Sequence, residues 1–489
     1  MSLKSKFIGD KAFYKLVGHI TIPIVIQSLI TNFVNLLDNI MVGQVGTAQM
    51  SGVAIANQLM FVFNLAVFGA LSGIGIFTAQ YFGSGDDEGA RQTMRIKLAV
   101  CVILLAIFYV LAIFFGEPLI QLFLKGEGNA AEVEITLAEG HRYLNIMLIG
   151  LVPFTLSQVY SSTLKESGET KLPMVAGIVA VTCNLVGNYI LIFGNFGAPK
   201  LGVAGAAYAT LISRFVEAGI ILITAHRHPE RYPFLPKLYR SMKVEKRLLR
   251  EVALKGTPLM INELLWSLGL SAITQSYSTR GLAAVAAINI TTTVFHMFST
   301  VYFSLGSTIS IIVGQALGSG DSEKAKDLDN KLIAFSLMLS TLAGIVAFIL
   351  APLFPQLYNT EAEVRDLATQ LLRILACCMP ISCLVHSCYF TLRTGGKTII
   401  TFLFDSFFIV VVAYPVSYVL SRFTNLPLLP IYLIIQLLDL IKVVIGLVLV
   451  KKGVWVQNLV AKTKEAYGEY PLSPAMIRDR IRDRTRDKI

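Results

Sequence analysis

Gln27, Thr31, Asn35 and Asp38 follow one another at steps of four, four and three residues inside an apolar stretch, so on a helix they form one polar stripe. Ser28, Asn32 and Asn39 widen it. Turned toward lipid, such a ladder would leave donors and acceptors unpaired at a cost of roughly 2–7 kcal/mol each, so it must face protein or a wet cavity. Asp38 carries the chemistry. An ionised aspartate at the centre of a membrane helix costs about 2.5–3.5 kcal/mol, and a carboxylate under that burden can exchange a proton for a bound cation. Because Asp38 lies toward the outer end of its stretch, a structural carboxylate hydrogen-bonded near the interface is the competing reading.

A second stripe holds Asn262, Glu263, Ser267, Ser271, Thr274 and Gln275. Glu263 lies nearer the opposite side of the membrane, where a partnered structural acid competes with an ion-binding one. Asp405 has no local partner in its apolar run, and stands equally as a cavity ligand or a structural acid. Asn184 and Asn188 share a helix face and could coordinate a cation or bond neighbouring helices. Asp439 with Lys442, and Arg214 with Glu217, are three apart and read most simply as self-neutralising pairs.

Enzymatic motifs are lacking. Gly396-Lys397-Thr398 resembles the end of a Walker loop, but the earlier glycine it requires is Thr391. The histidines form no zinc motif, and no nucleophile elbow is present. Five cysteines lie within apolar runs and Cys388 lies close to the end of one, so they read as small buried hydrophobes rather than disulfide partners. No cofactor is expected.

The elements that position these residues are membrane spans. At 54% hydrophobic, 15% charged and a mean hydropathy of +0.65, the 489-residue chain cannot hide its apolar surface in a soluble core. Twelve stretches reach the roughly 20 residues a span needs: 16–41, 52–82, 95–116, 139–162, 172–194, 202–225, 252–278, 285–317, 331–352, 366–391, 398–421 and 427–450. The net charge of +11 is no sign of nucleic-acid binding, because the cations cluster in alternate loops. Nine Lys and Arg residues between 227 and 255, with Arg91, Arg95, Lys97, Lys165, Lys171 and Arg393, mark internal loops, whereas external ones hold single cations such as Lys125 and Lys200. Both termini are therefore expected in the cytoplasm.

The chain also repeats itself. Residues 23–92 fall without a gap on 258–327, setting Pro23 over Pro258, Gln80 over Gln315 and Gly83-Ser84-Gly85-Asp86 over Gly318-Ser319-Gly320-Asp321. A second echo sets Leu164 to Thr170 over Leu392 to Thr398, so the second copy is seven residues shorter between the two echoes. Six spans per copy is an even number, which makes the copies parallel repeats. The expected organisation is an all-α integral membrane protein: an N-terminal six-helix lobe (1–225), a cytoplasmic basic linker (226–250), a C-terminal six-helix lobe (251–452) and a cytoplasmic polar tail (453–489) ending in the charged run Arg478 to Arg484. The repeat sets Glu263 over Ser28 and Ile273 over Asp38, so the halves are not chemically equivalent.

Twelve spans in two halves, Pro23 through Asp38 to Met41-Val42-Gly43, the paired Gly-Ser-Gly-Asp turns, and Pro258 through Glu263 together make residues 10 to 460 resemble the multidrug and toxic compound extrusion (MATE) family. That resemblance implies a V-shaped pair of lobes expelling small organic cations from the cytoplasmic membrane in exchange for protons or sodium ions, from a monomer in contact with lipid. It implies coupling roles for Asp38 and Glu263, with Na⁺ as one candidate ion at either, and sets the family's fifth-span asparagine and aspartate on Asn184 and Asn188. Asn188 departs from the pattern, because an amide releases no proton in the working range. The rival readings are a lipid-linked oligosaccharide flippase of the same broad fold, which needs unpaired cavity cations, and a non-transporting membrane sensor.

Overall fold

The computed structural model describes residues 7–124, 130–358 and 360–461; the side chains at 35, 36, 39, 47, 122–124, 130 and 131 lie outside the described set. The expectations for Lys125, for the Asn35 side chain and for the charged run Arg478 to Arg484 therefore fall outside the described residues. Within them the long elements are helices: α1 Lys11–Gly43, α2 Thr47–Ser84, α3 Asp87–Leu124, α4 Ala130–Glu166, α5 Lys171–Phe193, α6 Val203–Arg227, α7 Lys246–Ser278, α8 Leu282–Gly318, α9 Ser322–Leu350, α10 Ala362–Thr394, α11 Thr398–Phe423 and α12 Leu428–Lys451. Eleven are long and apolar enough to cross a bilayer. The exception, α7, has ample length at 33 residues but carries the second polar stripe.

The chain divides into two compact bodies, Ile26–Gly75 with Arg91–Glu245, and Lys246–Ile489 with Met1–Val25 and Ile76–Ala90. The division follows the two halves except that the starting turns of α1 and the last turns of α2 pack with the second body. Val17, Ile20 and Ile24 of α1 join a core with Leu305, Ile309 and Val313 of α8, and the hydroxyls of Thr21 and Thr308 meet at 2.8 Å.

The repeated Gly-Ser-Gly-Asp turn explains the placement of α2. Its second glycine, Gly85 or Gly320, takes a positive φ (71° and 85°) as the helix ends. Its aspartate caps the next helix: Asp86 Oδ1 accepts from Gly89 N (2.9 Å) and Asp321 Oδ1 from Lys324 N (3.0 Å). The first glycine does something else. A Cβ on Gly83 would run into the backbone carbonyl of Gln315, and one on Gly318 into that of Gln80. Since Gln80 and Gln315 are themselves equivalent, one register generates two reciprocal backbone contacts where α2 crosses α8. Gly83→Ala and Gly318→Ala are each expected to cost at least about 1–3 kcal/mol through overpacking, seen as a lower thermal midpoint of the purified protein in detergent, whereas Gly219→Ala, with open space around it, leaves the midpoint within error.

The basic linker and the start of the polar tail are both packed against the helices. In the linker, Arg91 donates to the carbonyls of Pro233 and Phe234 (both 3.0 Å), and Arg95 to those of Lys237, Leu238 and Lys243 (each 3.2 Å). These cations thus organise the loop, besides contributing to the charge bias of their side of the membrane. Past residue 453 the chain first docks on the second body: Trp455 is 1% exposed, Leu459 N donates to Gln80 Oε1 (2.7 Å), and Asn458 Nδ2 to the Gly318 carbonyl (3.3 Å). Hydropathy overlooks both segments, because backbone carbonyls and one tryptophan supply the contacts.

Candidate functional site

The polar stripe of α1 faces α5. Gln27 lies against Gly177, where a Cβ would meet its amide nitrogen at 2.8 Å. Eleven residues further along α1, Asp38 meets Asn188 and Asn184, one turn apart on the same helix. Asn188 Nδ2 donates to Asp38 Oδ1 at 2.6 Å. With its amide turned to satisfy every partner, Asn184 donates to both carboxylate oxygens (3.0 and 2.9 Å), while its own oxygen accepts from Thr210 Oγ1 on α6 (3.0 Å). Amides therefore hold the Asp38 carboxylate, and among the described residues no cation lies within salt-bridge distance of it. Asn188 Oδ1 is buried and has no hydrogen-bond partner among the described residues.

Asp38 lines a cavity of about 370 Å³ in the first body. Asn57, Asn64, Tyr143 and Thr210 bring further polar groups, and Met60, Phe61, Met147 and Phe154 give it an apolar and aromatic wall. Arg214 completes the lining from α6, with its guanidinium over the Phe154 ring, 4.8 Å from the centroid. The i,i+3 pair with Glu217 forms, at 3.4 Å.

Glu263 and Asp405 belong to a separate network in the second body. Glu263 Oε1 accepts from the Tyr389 hydroxyl (2.9 Å) and lies 3.7 Å from Arg393 Nη1, so the partners a structural acid would need are present. Asn262 links the two acids, its Nδ2 reaching Tyr389 Oη and Asp405 Oδ2, both at 3.2 Å. Asp405 has a partner that its own helix does not supply: Lys442 Nζ on α12 donates to its Oδ1 at 3.0 Å, against 3.8 Å to Asp439. Two consecutive π-turns, Leu403–Phe407 and Ile409–Ala413, widen α11 at this point, a distortion that concentrates at functional sites.

The structure thus gathers Asp38, Asn184 and Asn188 around one carboxylate, joins Glu263 to Asp405 through Asn262, and leaves Gln27 apart along α1. Sequence reasoning missed Tyr143, Thr210 and Tyr389, and it saw Arg214 only as half of a pair. The repeat held a usable signal for Arg214 alone among these, since its second register sets Arg214 over Lys442, as it sets Gly177 over Asp405 and Lys165 over Arg393.

A duplicated bundle of apolar helices with a half-buried, amide-held carboxylate opening on an aromatic cavity is the architecture of a multi-pass membrane transporter. The chain belongs to the MatE family, whose model matches residues 23–190 and 258–419. It is 25% identical over 417 residues to a probable multidrug resistance protein NorM of Thermotoga maritima, covering 84% of this chain and 86% of that one. It is 27% identical over 347 residues to an FAD transporter of Shewanella oneidensis, covering 70% and 74%. The fold also matches a crystal structure of the Vibrio cholerae MATE transporter VcmN, with a TM-score of 0.80, 20% identity and coverage of 93% and 99%.

Proposed function

We propose that this chain exports small organic cations across the cytoplasmic membrane by alternating access, in exchange for inward-moving protons or sodium ions. The observation that carries the proposal is the Asp38 carboxylate, held by Asn184 and Asn188 at the wall of an aromatic cavity. An acid paired with amides keeps its charge available, whereas one locked to a buried cation does not. The carboxylate cannot hold a guest cation and a coupling ion in one conformation, so each ligand favours a different opening of the protein. Phe61 and Phe154 supply affinity with little shape selection.

Two ions compete for the coupling role. A proton needs only the carboxylate, while sodium needs several oxygens, and the unpartnered Asn188 Oδ1 is one that the site has to spare. Glu263, tied to Tyr389 and Arg393, serves as a structural acid in this reading. A polyanionic cargo of the kind a flippase carries, or the flavin dinucleotide named for the Shewanella relative, is disfavoured because the cavity wall offers a single cation, Arg214, which is paired with Glu217 and faces a lining that includes Asp38. The protein works as a monomer with both termini in the cytoplasm, and needs no cofactor. Everted vesicles with the proton and sodium gradients imposed separately test the proposal. Uptake of a fluorescent cation should follow one gradient and collapse when it is dissipated, and uptake indifferent to both would refute antiport.

A further inference from the structure

The basic linker uses some cations for its own architecture and leaves others unengaged. Arg91 and Arg95 bind its backbone carbonyls, and Arg231 pairs with Glu169. Lys237 and Arg240 do neither: both are exposed, and among the described residues neither has a side-chain hydrogen bond or an acidic partner. Both line one recess of about 300 Å³, together with His226 at the end of α6, Tyr239, and an apolar floor of Leu235 and Leu238. Among the described residues no acid lines it, and it shares no residue with the cavity of Asp38. Tyr239 is held in place, its hydroxyl 2.6 Å from that of Tyr160 and its ring stacked on His226.

Backbone strain and depth indicate what the recess takes. Lys237 has a φ of +66°, a left-handed conformation that glycine adopts freely and lysine only at a cost. Glycine would suit the turn better, so what the lysine contributes lies in its side chain. The recess opens where α6 leaves its span, since that helix ends at Arg227, and Tyr239 and Met242 beside it stay 56% and 53% exposed. An apolar rim next to unpaired cations suits a membrane surface, where tyrosine sits at headgroup level and cations attract anionic lipid. A soluble phosphate ester would gain nothing from an exposed methionine. We infer that the recess binds the headgroup of an anionic phospholipid, with Lys237 and Arg240 meeting the phosphate and Tyr239 and Met242 lying against the glycerol and the upper acyl chain.

The test titrates the purified full-length protein in detergent with dioctanoyl phosphatidylglycerol or dioctanoyl phosphatidylcholine and counts bound lipid by native mass spectrometry. The wild-type protein should prefer phosphatidylglycerol. Lys237→Gln/Arg240→Gln should weaken that binding about thirtyfold, the combined effect of two cations at a lipid surface, with no change in thermal midpoint. Lys324→Gln/Lys452→Gln removes two exposed cations from the second body and should leave binding as it was. Lys237→Gly, which relieves the turn, should still weaken binding about fivefold. Equal wild-type binding of the two lipids, or equal weakening by both double variants, would reduce the effect to general charge attraction and overturn the inference, as would a glycine variant that binds like the wild type. Displacement of the lipid by an equal concentration of sn-glycerol 3-phosphate would make the ligand a soluble phosphate ester and overturn it too.

Discussion

Asp38→Asn abolishes ion-driven efflux while the protein still reaches the membrane in near-normal amounts. The two side chains share a shape, so what changes is charge. In the wild type, Asn188 and Asn184 aim N–H groups at the carboxylate, and the substituted amide can still accept some of these bonds through its oxygen. Folding is spared because no buried cation is stranded, and desolvating an ionised group is no longer required. Transport is not spared, because an amide neither takes up a proton in the working range nor attracts a cation as an anion does. Uptake into everted vesicles should fall to the level of vesicles lacking the protein, and affinity for a cationic dye should drop by about tenfold or more. A variant that still drives efflux from an imposed gradient would remove Asp38 from the coupling step.

Lys442→Met is expected to damage the fold rather than the chemistry. Removing this ammonium leaves Asp405 buried beside Asp439 without a compensating charge, a loss of about 3–5 kcal/mol by the usual cost of breaking a buried pair. The effect would be seen as poor recovery and a sharply lower thermal midpoint in detergent. The distances make a finer prediction, since Lys442 stands closer to Asp405 than to Asp439. Adding Asp405→Asn to the lysine variant should restore most of the stability, and adding Asp439→Asn should restore little. The opposite ranking would mean that the intrahelical pair dominates, as the three-residue spacing alone suggests.

That contrast marks what a sequence of this kind discloses. Twelve spans were legible because lipid demands about 20 apolar residues per crossing. The Asp38 stripe was legible because a helix repeats its faces every three or four residues. The Asn184 and Asn188 face was readable for the same reason, and it proved to point at Asp38. What stayed hidden were distances between helices. Nothing in the α12 sequence says that Lys442 reaches across to Asp405, and the π-turns that shape α11 there carry no compositional mark. The roles of Arg91 and Arg95 were hidden differently: bonds to backbone carbonyls have no side-chain partner for spacing to reveal. The Arg214–Glu217 pair followed from its spacing and forms, whereas the place of Arg214 on the cavity wall depends on how α6 packs and was hidden.

The reciprocal crossing of α2 and α8 bears on how the gene could drift after duplication. Gly83 clears the Gln315 backbone and Gly318 clears that of Gln80, so inserting or deleting a residue between glutamine and glycine in either copy would slide one helix and spoil both clearances together. Mutational tolerance should therefore be asymmetric: length changes purged around the crossing, yet admitted farther along the chain. The ungapped match of 70 residues between the copies, followed by a shortening of seven outside it, is the ancestry such a constraint would leave.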